Sequence, residues 1–378
     1  MSPKISVIIP VYGVEAFLPL CVESLLAQTM PEIEYIFVND ASPDGCPEIL
    51  RGYQAQHPEQ IVVIDSPENR RQGGARNLGL HAARAPYVGF VDGDDFAAPA
   101  MFARLYEKMQ ATDADAVFCQ YAGVPEDADA APADSKPFLQ WKPELLAWDN
   151  VPLTDQGVCD LLAYPIGGIW SGLWKKSVLT ENNIRFPEKI RYEDNYWAAL
   201  VKCYLKKVAF VPEILYYYRQ NASSTVHQRN ARYQIEDRIR IERSLLEEVQ
   251  QRGLLKRFYP AWEYLYTSRY GITTMDFACY IFDVPPADEL AAVMQDVQAM
   301  FPNWEKNPYY QKAYTEEQQQ RNRRMVQDPM GYIRARQKEK RQARRREKRM
   351  ACLVAMVARV KKMLGLEQVT LTDLVKKH

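Results

Sequence analysis

Four short apolar runs place the strongest constraint on the fold: Ile5 to Val11 (ISVIIPV), Glu34 to Asn39 (EYIFVN), Ile61 to Asp65 (IVVID) and Tyr87 to Val91 (YVGFV). Each is too short for a stable helix, rich in β-branched or aromatic residues and bounded by turn formers, as buried strands are. Between them the periodicity becomes helical. Val14, Phe17, Leu18, Cys21, Val22, Leu25 and Leu26 follow i, i+3, i+4, i+7 spacing, with Pro19 tolerable only near the first turn. Cys46 to Gln56 and the Ala/Leu-rich Gly74 to Arg84 read as two further helices. This alternation predicts an α/β fold: a Rossmann-like, mostly parallel sheet flanked by helices on both faces.

In such sheets ligands sit outside the carboxyl ends of the strands. Pro10-Val11-Tyr12-Gly13 ends the first strand, Asn39-Asp40-Ala41-Ser42-Pro43-Asp44-Gly45 the second and Asp92-Gly93-Asp94-Asp95 the fourth, so all three are expected to line one crevice. Each has a plainer reading, because these residues also form turns, and Ser42 or Asp44 suits a helix cap. The acidic stretch is the hardest to explain by folding alone. Three carboxylates at the end of a buried strand repel one another unless a cation or hydrogen-bond donors neutralise them. A divalent cation, Mn2+ or Mg2+, bridging carboxylate to substrate phosphates is one solution, and a solvated acidic turn with Gly93 at the bend is the other.

Composition narrows the class. A 47% apolar and 25% charged chain of 378 residues can hold one large core or two smaller domains. Its seven cysteines are odd in number, widely spaced and without a C-x-x-C pair, which points to a reducing compartment and away from zinc. The chain opens without the features of a signal peptide, and no run reaches the roughly 18 apolar residues that span a bilayer, so a cytoplasmic location is expected. The zero net charge hides an asymmetry: Arg334 to Arg349 holds ten Lys or Arg against Glu339 and Glu347, a charge of +8, so the remainder carries −8.

The order and spacing of SVIIPVYGVEAFLPLCVESLLAQT, FVNDASPDG, GGARNLGL and YVGFVDGDD resemble the nucleotide-sugar-binding half of family-2 glycosyltransferases with the GT-A fold. The match is close over the first third of the chain and looser over the stretch that follows. The resemblance implies an inverting, metal-dependent transferase that moves one sugar from a nucleoside diphosphate sugar, a UDP-sugar, to a glycan or lipid-linked acceptor in cell-surface polysaccharide or lipopolysaccharide biosynthesis. Pro10, Val11, Tyr12 and Asp40 would hold the base, and Arg76 would reach the base or diphosphate. Asp92, Gly93, Asp94 and Asp95 fit the family's DXD motif, with Asp94 and Asp95 nearest the cation and Asp92 on the ribose or behind the site. Asp194 fits the ED motif, whose Asp is the general base, and Glu193 is the alternative in that role. Two departures stand out. Asn39 occupies a position where Asp is frequent, and the Q-x-x-R-W signature of processive members is missing, with Tyr217-Tyr218-Arg219-Gln220-Asn221 in its place. The second departure favours transfer of a single sugar.

Downstream, Ala114 to Gln120 reads as a strand, Gly123 to Pro137 as a surface loop, Tyr192-Glu193-Asp194-Asn195 as a helix start, and Val208 to Val211 and Ile214 to Tyr218 as strands. Trp170, Trp174 and Tyr192 could stack on an acceptor, although such aromatics also build cores. Arg219 and His227 could close over the diphosphate. Helices alone follow, at Ile235 to Val249, Tyr264 to Ile281 and Ala287 to Met300. We therefore divide the chain into a catalytic domain over 1–227, a helical domain over 228–330 and a basic amphipathic tail over 331–378. In the tail, Met350, Leu353, Val354, Val357, Val360 and Leu364 form an apolar stripe after the basic run. An anionic membrane surface contacted through 334–364, on the inner face of the cell membrane, suits that pattern. A homo-oligomer, a solvated charged helix and an RNA-binding arm are its competitors, nucleic acid being the least favoured. For the whole chain the alternatives are a non-catalytic nucleotide-sugar- or RNA-binding scaffold and, less favoured, a sugar nucleotidyltransferase, which needs a Gly-rich basic loop where this chain has Pro10 to Gly13. A dinucleotide-dependent dehydrogenase is excluded by the lack of G-x-G-x-x-G there.

Overall fold

A computed structural model describes residues 2–220 and 231–363. One eight-stranded sheet organises the chain, in the order β3-β2-β1-β4-β7-β6-β8-β5. Its strands are β1 (Ile5–Val11), β2 (Ile33–Asn39), β3 (Ile61–Asp65), β4 (Tyr87–Phe90), β5 (Phe96–Ala97), β6 (Ala116–Pro125), β7 (Gly172–Lys175) and β8 (Val208–Gln220). The first four run parallel, with Val11 beside Asn39 and Asn39 beside Asp65, so their polar ends emerge together. β7 then inserts antiparallel to both β4 and β6, and β6 and β8 pair in parallel. The two strands expected at Val208 to Val211 and Ile214 to Tyr218 are one. The register of β8 shifts between Val211 and Ile214, a bulge that carries Pro212, which has no amide proton to offer the ladder.

Alternation of side chains assigns the helices. Ile5, Val7, Ile9, Val11 and Phe37 face one layer, made by α1 (Leu18–Leu26), α2 (Cys46–Gln56) and α4 (Met101–Thr112). Ile8, Ile36, Val38, Phe90 and Phe118 face the other, which holds α3 (Arg71–Ala82), α5 (Pro143–Leu146), α6 (Asp155–Ala163), α7 (Lys176–Glu181) and α8 (Glu193–Lys202). The predicted helix at Tyr264 to Ile281 is broken into three. After α9 (Arg232–Gln251) and α10 (Leu254–Arg257), α11 (Tyr259–Leu265) passes through a π-helical stretch, Tyr266–Thr273, into α12 (Thr274–Ile281). Then come α13 (Ala287–Met300), α14 (Pro308–Ala313), α15 (Glu316–Gln327) and α16 (Pro329–Met363). Side chains of this helical part, among them Ile235, Tyr270, Tyr310 and Ile333, belong to the same buried cluster as Phe90 and Phe118 of the sheet. Among the described residues, no helix is long and apolar enough to cross a membrane.

Candidate active site

The carboxyl ends of β1, β2 and β4 open onto a cavity of about 740 Å³ lined by Tyr12, Asp40, Arg76, Asp92, Trp170 and residues 190–195, a volume suited to a nucleotide-sized ligand. Strand register builds the near wall. Asp40 donates its amide to the Val11 carbonyl at 3.0 Å, so Tyr12 and Asp40 leave the sheet side by side. Pro10 and Val11 are buried and do not line the cavity, whereas Tyr12 is 50% exposed and does. Asp40 Oδ1 accepts the Arg70 amide at 2.8 Å, which fixes the loop entering α3. Burial raises the Asp40 carboxyl above its ordinary range, and the amides of Arg70 and Arg71 offset this only in part. A methyl group on Gly93 would sit 3.1 Å from the Pro10 carbonyl oxygen. Glycine is what lets the end of β4 pass so close to β1.

Arg76 joins the two acidic sides of the cavity. It is 2% exposed, and its guanidinium donates from Nη2 to Asp92 Oδ1 at 2.7 Å and from Nη1 to Glu193 Oε1 at 2.6 Å. Burial alone would lower its pKa, but the Asp92 and Glu193 carboxylates outweigh that and keep it charged. Arg76, expected at the base or diphosphate, lines the cavity with its fork engaged between two carboxylates. Glu193, the alternative general base, is held by the same fork. Buried and turned to Arg76, it is pushed up to about 7 by burial, with Arg76 opposing and the Asp194 charge adding to the shift. Asp194, one residue on, is half-buried and lines the cavity. Both sit in the first turn of α8, entered through Tyr192 in the left-handed region at φ 64°. A carboxylate there is favoured by the positive end of the helix dipole.

Within the acidic stretch, Asp92 lines the cavity and Asp95 braces the turn. Asp95 is 1% exposed; its Oδ2 accepts the Tyr216 hydroxyl at 2.6 Å and its Oδ1 the Arg219 amide at 2.8 Å. Arg219 donates Nε to the Asp94 carbonyl at 2.8 Å and Nη1 to the carbonyls of Ala128 and Glu126, with its guanidinium over the Phe17 ring. Asp95 and Arg219 therefore tie the acidic turn to β8; expected at the metal and the diphosphate, they do not line the cavity as described. Asp94 is half-buried, its carboxyl pushed up to about 6 by burial and by the neighbouring Asp92 charge. Among the described residues, no three His, Cys, Asp or Glu side chains gather into a cage for a metal. The donor set nonetheless fits a hard cation that completes its shell with ligand phosphates, because Asp92 and Asp94 repel each other and a positive charge would relieve both.

The aromatic candidates separate cleanly. Trp170 lines the cavity and stacks on Tyr216 and Tyr218, with centroids 4.2 and 5.9 Å away. Trp174 is a core residue wedged against Phe118 and Trp197 and does not line the cavity. His227 lies outside the described residues. Sequence reasoning missed Arg71, Tyr121, Phe138, Arg191 and Arg238 in the cavity wall. Arg71 holds φ 61° at the start of α3, and Arg238 arrives from α9, over the ring of Tyr192. Nothing in their local sequence distinguishes them from surface arginines.

With this geometry, residues 6–162 match the family described as Glycosyl transferase family 2. That stretch is similar in sequence to the catalytic domain of that family. The glycosyltransferase EpsJ of Bacillus subtilis is 35% identical over 59% of this chain and 63% of its own. Glycosyltransferase GlyG of Streptococcus pneumoniae is 29% identical over 59% of this chain and 73% of its own. The chain spans a little under two thirds of the length of the first curated relatives it matches, at 63% and 64%. Among solved structures, residues 1–349 of S. aureus TarS in complex with UDP-GlcNAc superpose with a TM-score of 0.64 at 16% identity, covering 90% of this chain and 92% of that one. The expected GT-A architecture is thus present, and the matched stretch sits in a longer mixed sheet with a helical part behind it.

Proposed function

We propose that this glycosyltransferase domain transfers one sugar from a UDP-sugar to a hydroxyl of a glycan or lipid-linked acceptor, with inversion at the anomeric carbon. The observation that carries the reading is the meeting of Asp92, from the end of β4, and Asp194, from the start of α8, in one cavity. Tyr12 offers a ring face and Asp40 a carboxylate to the base. Asp92 and Asp94 would hold Mn2+ or Mg2+, which supplies Lewis-acid stabilisation of the departing diphosphate. Asp194 takes the proton from the acceptor hydroxyl as that oxygen attacks from the face opposite the diphosphate. Arg76 keeps both sides in register by holding Asp92 and Glu193. The names of the curated relatives, glycosyltransferases EpsJ and GlyG, support the reaction class.

The test is release of UDP from UDP-sugars, with and without acceptor extract, in the presence of Mn2+. Asp194→Asn is expected to lower transfer by ~10²–10⁴-fold, the range for loss of a general base, while donor binding followed by thermal shift persists. Parent-like rates for both Asp194→Asn and Asp92→Asn would refute the proposal.

A further inference from the structure

The last helix leaves the body of the protein. Its root is buried: Ile333 belongs to the core and the Tyr332 hydroxyl donates to Asp276 at 2.8 Å. Lys340 then caps the end of α12, donating to the carbonyls of Tyr280 and Phe282 at 2.9 and 2.7 Å, and Arg344 pairs with Asp283 at 2.6 Å. From Arg341 to Met356 every side chain described is exposed. At 1.5 Å per residue the 35-residue α16 is about 50 Å long.

Two kinds of surface meet along this helix. Arg341, Arg344, Arg345, Arg346, Lys348 and Arg349 give a dense positive stretch with Glu347 as its one acid. Directly beyond it Met350, Val354 and Met356 are 61–63% exposed. At the root, where Lys340 and Arg344 grip the end of α12, Tyr280 and Val284 are 70% and 73% exposed. Large apolar side chains left in water beside a cluster of cations have one environment that satisfies both, the interface of an anionic bilayer, where headgroups neutralise the charge and acyl chains accept the apolar groups. A nucleic acid matches the charge but offers no apolar phase to Met350 and Val354. A second copy of the helix matches the apolar groups but brings its own cations against these.

We infer that α16 beyond Lys340, together with Tyr280 and Val284, is a docking surface for anionic lipid. The inference goes beyond the sugar-transfer reading and stands or falls separately from it. Its test is co-sedimentation of the full chain with vesicles of phosphatidylcholine alone or mixed with phosphatidylglycerol. The protein is expected to pellet with the mixed vesicles only. Arg341→Glu/Arg345→Glu/Arg349→Glu should weaken that binding at least tenfold, and Met350→Ser/Val354→Ser should weaken it severalfold at unchanged net charge. These sites are exposed, so both variants should keep the parent's melting temperature. Equal pelleting with both vesicle types, indifference to either variant, or single-stranded RNA that displaces the protein from mixed vesicles would overturn the assignment.

Discussion

At the scale of single residues, Arg76 shows what a sequence withholds. Its place in GGARN was visible, and so were Asp92 and Glu193, but the three are separated by 16 and 117 positions along the chain. Only the folded sheet brings them together. Lysine has one ammonium and cannot span two carboxylates held by a fork. Arg76→Lys is therefore expected to cost on the order of 3 kcal/mol, as breaking a buried ion pair does, read from urea unfolding. Asp95, Trp174 and Arg219 are of types that suit the chemistry, but their partners, Tyr216 and Arg219 for Asp95 and the Phe118 and Trp197 rings for Trp174, come from distant parts of the chain that local sequence does not encode. Asp94 has a measurable signature. Its folded carboxyl titrates near 6 against an ordinary 3.8, so between those values the folded chain binds more protons than the unfolded one and stability falls as pH rises. The contribution is full below about 3.8 and lost through 6. In metal-free buffer the parent should lose on the order of 2 kcal/mol across that window relative to Asp94→Asn, allowing for the carboxyl's partial exposure.

At the scale of elements, boundaries were legible where the period was strong and one partner was local. The bounds of β1, α2, β3 and α13 coincide with the runs read from sequence. The sense of β7 was not legible, because a four-residue apolar run, Gly172–Lys175, carries no record of which neighbours it will join. α14 and α15 carried readable starts that the helical periodicity of the region obscured: Asn307 before Pro308, accepting two amides, and a Thr315–Gln318 capping box. α3 meets β1 at close range. A Cβ at Gly79 would fall 2.4 Å from Ile8 Cγ2, so α3 packs with its backbone almost on the strand. Gly79→Val should destabilise by ~2 kcal/mol through overpacking, and because α3 carries Arg76 the variant should also weaken donor binding in a thermal-shift assay.

At the scale of the whole molecule, the three-part division read from composition meets a core that runs from Phe90 and Phe118 through Tyr270 and Tyr310 to Ile333. Polarity and periodicity change at the start of α9, yet its inner face is apolar and covers the sheet's own helices. Calorimetry is expected to show one unfolding transition, with calorimetric and van't Hoff enthalpies in agreement; two resolved transitions would instead match separate sheet and helical domains. The cavity crosses the same line, since Arg238 of α9 stands in its wall. The thiols bear on how such questions can be pursued. Six of the seven cysteines are buried and Cys352 alone is exposed, on the free part of α16. In its native state the unmodified protein therefore offers a single attachment point for a maleimide dye. A polarity-sensitive fluorophore placed there would report, by emission colour, whether its surroundings are water or hydrocarbon.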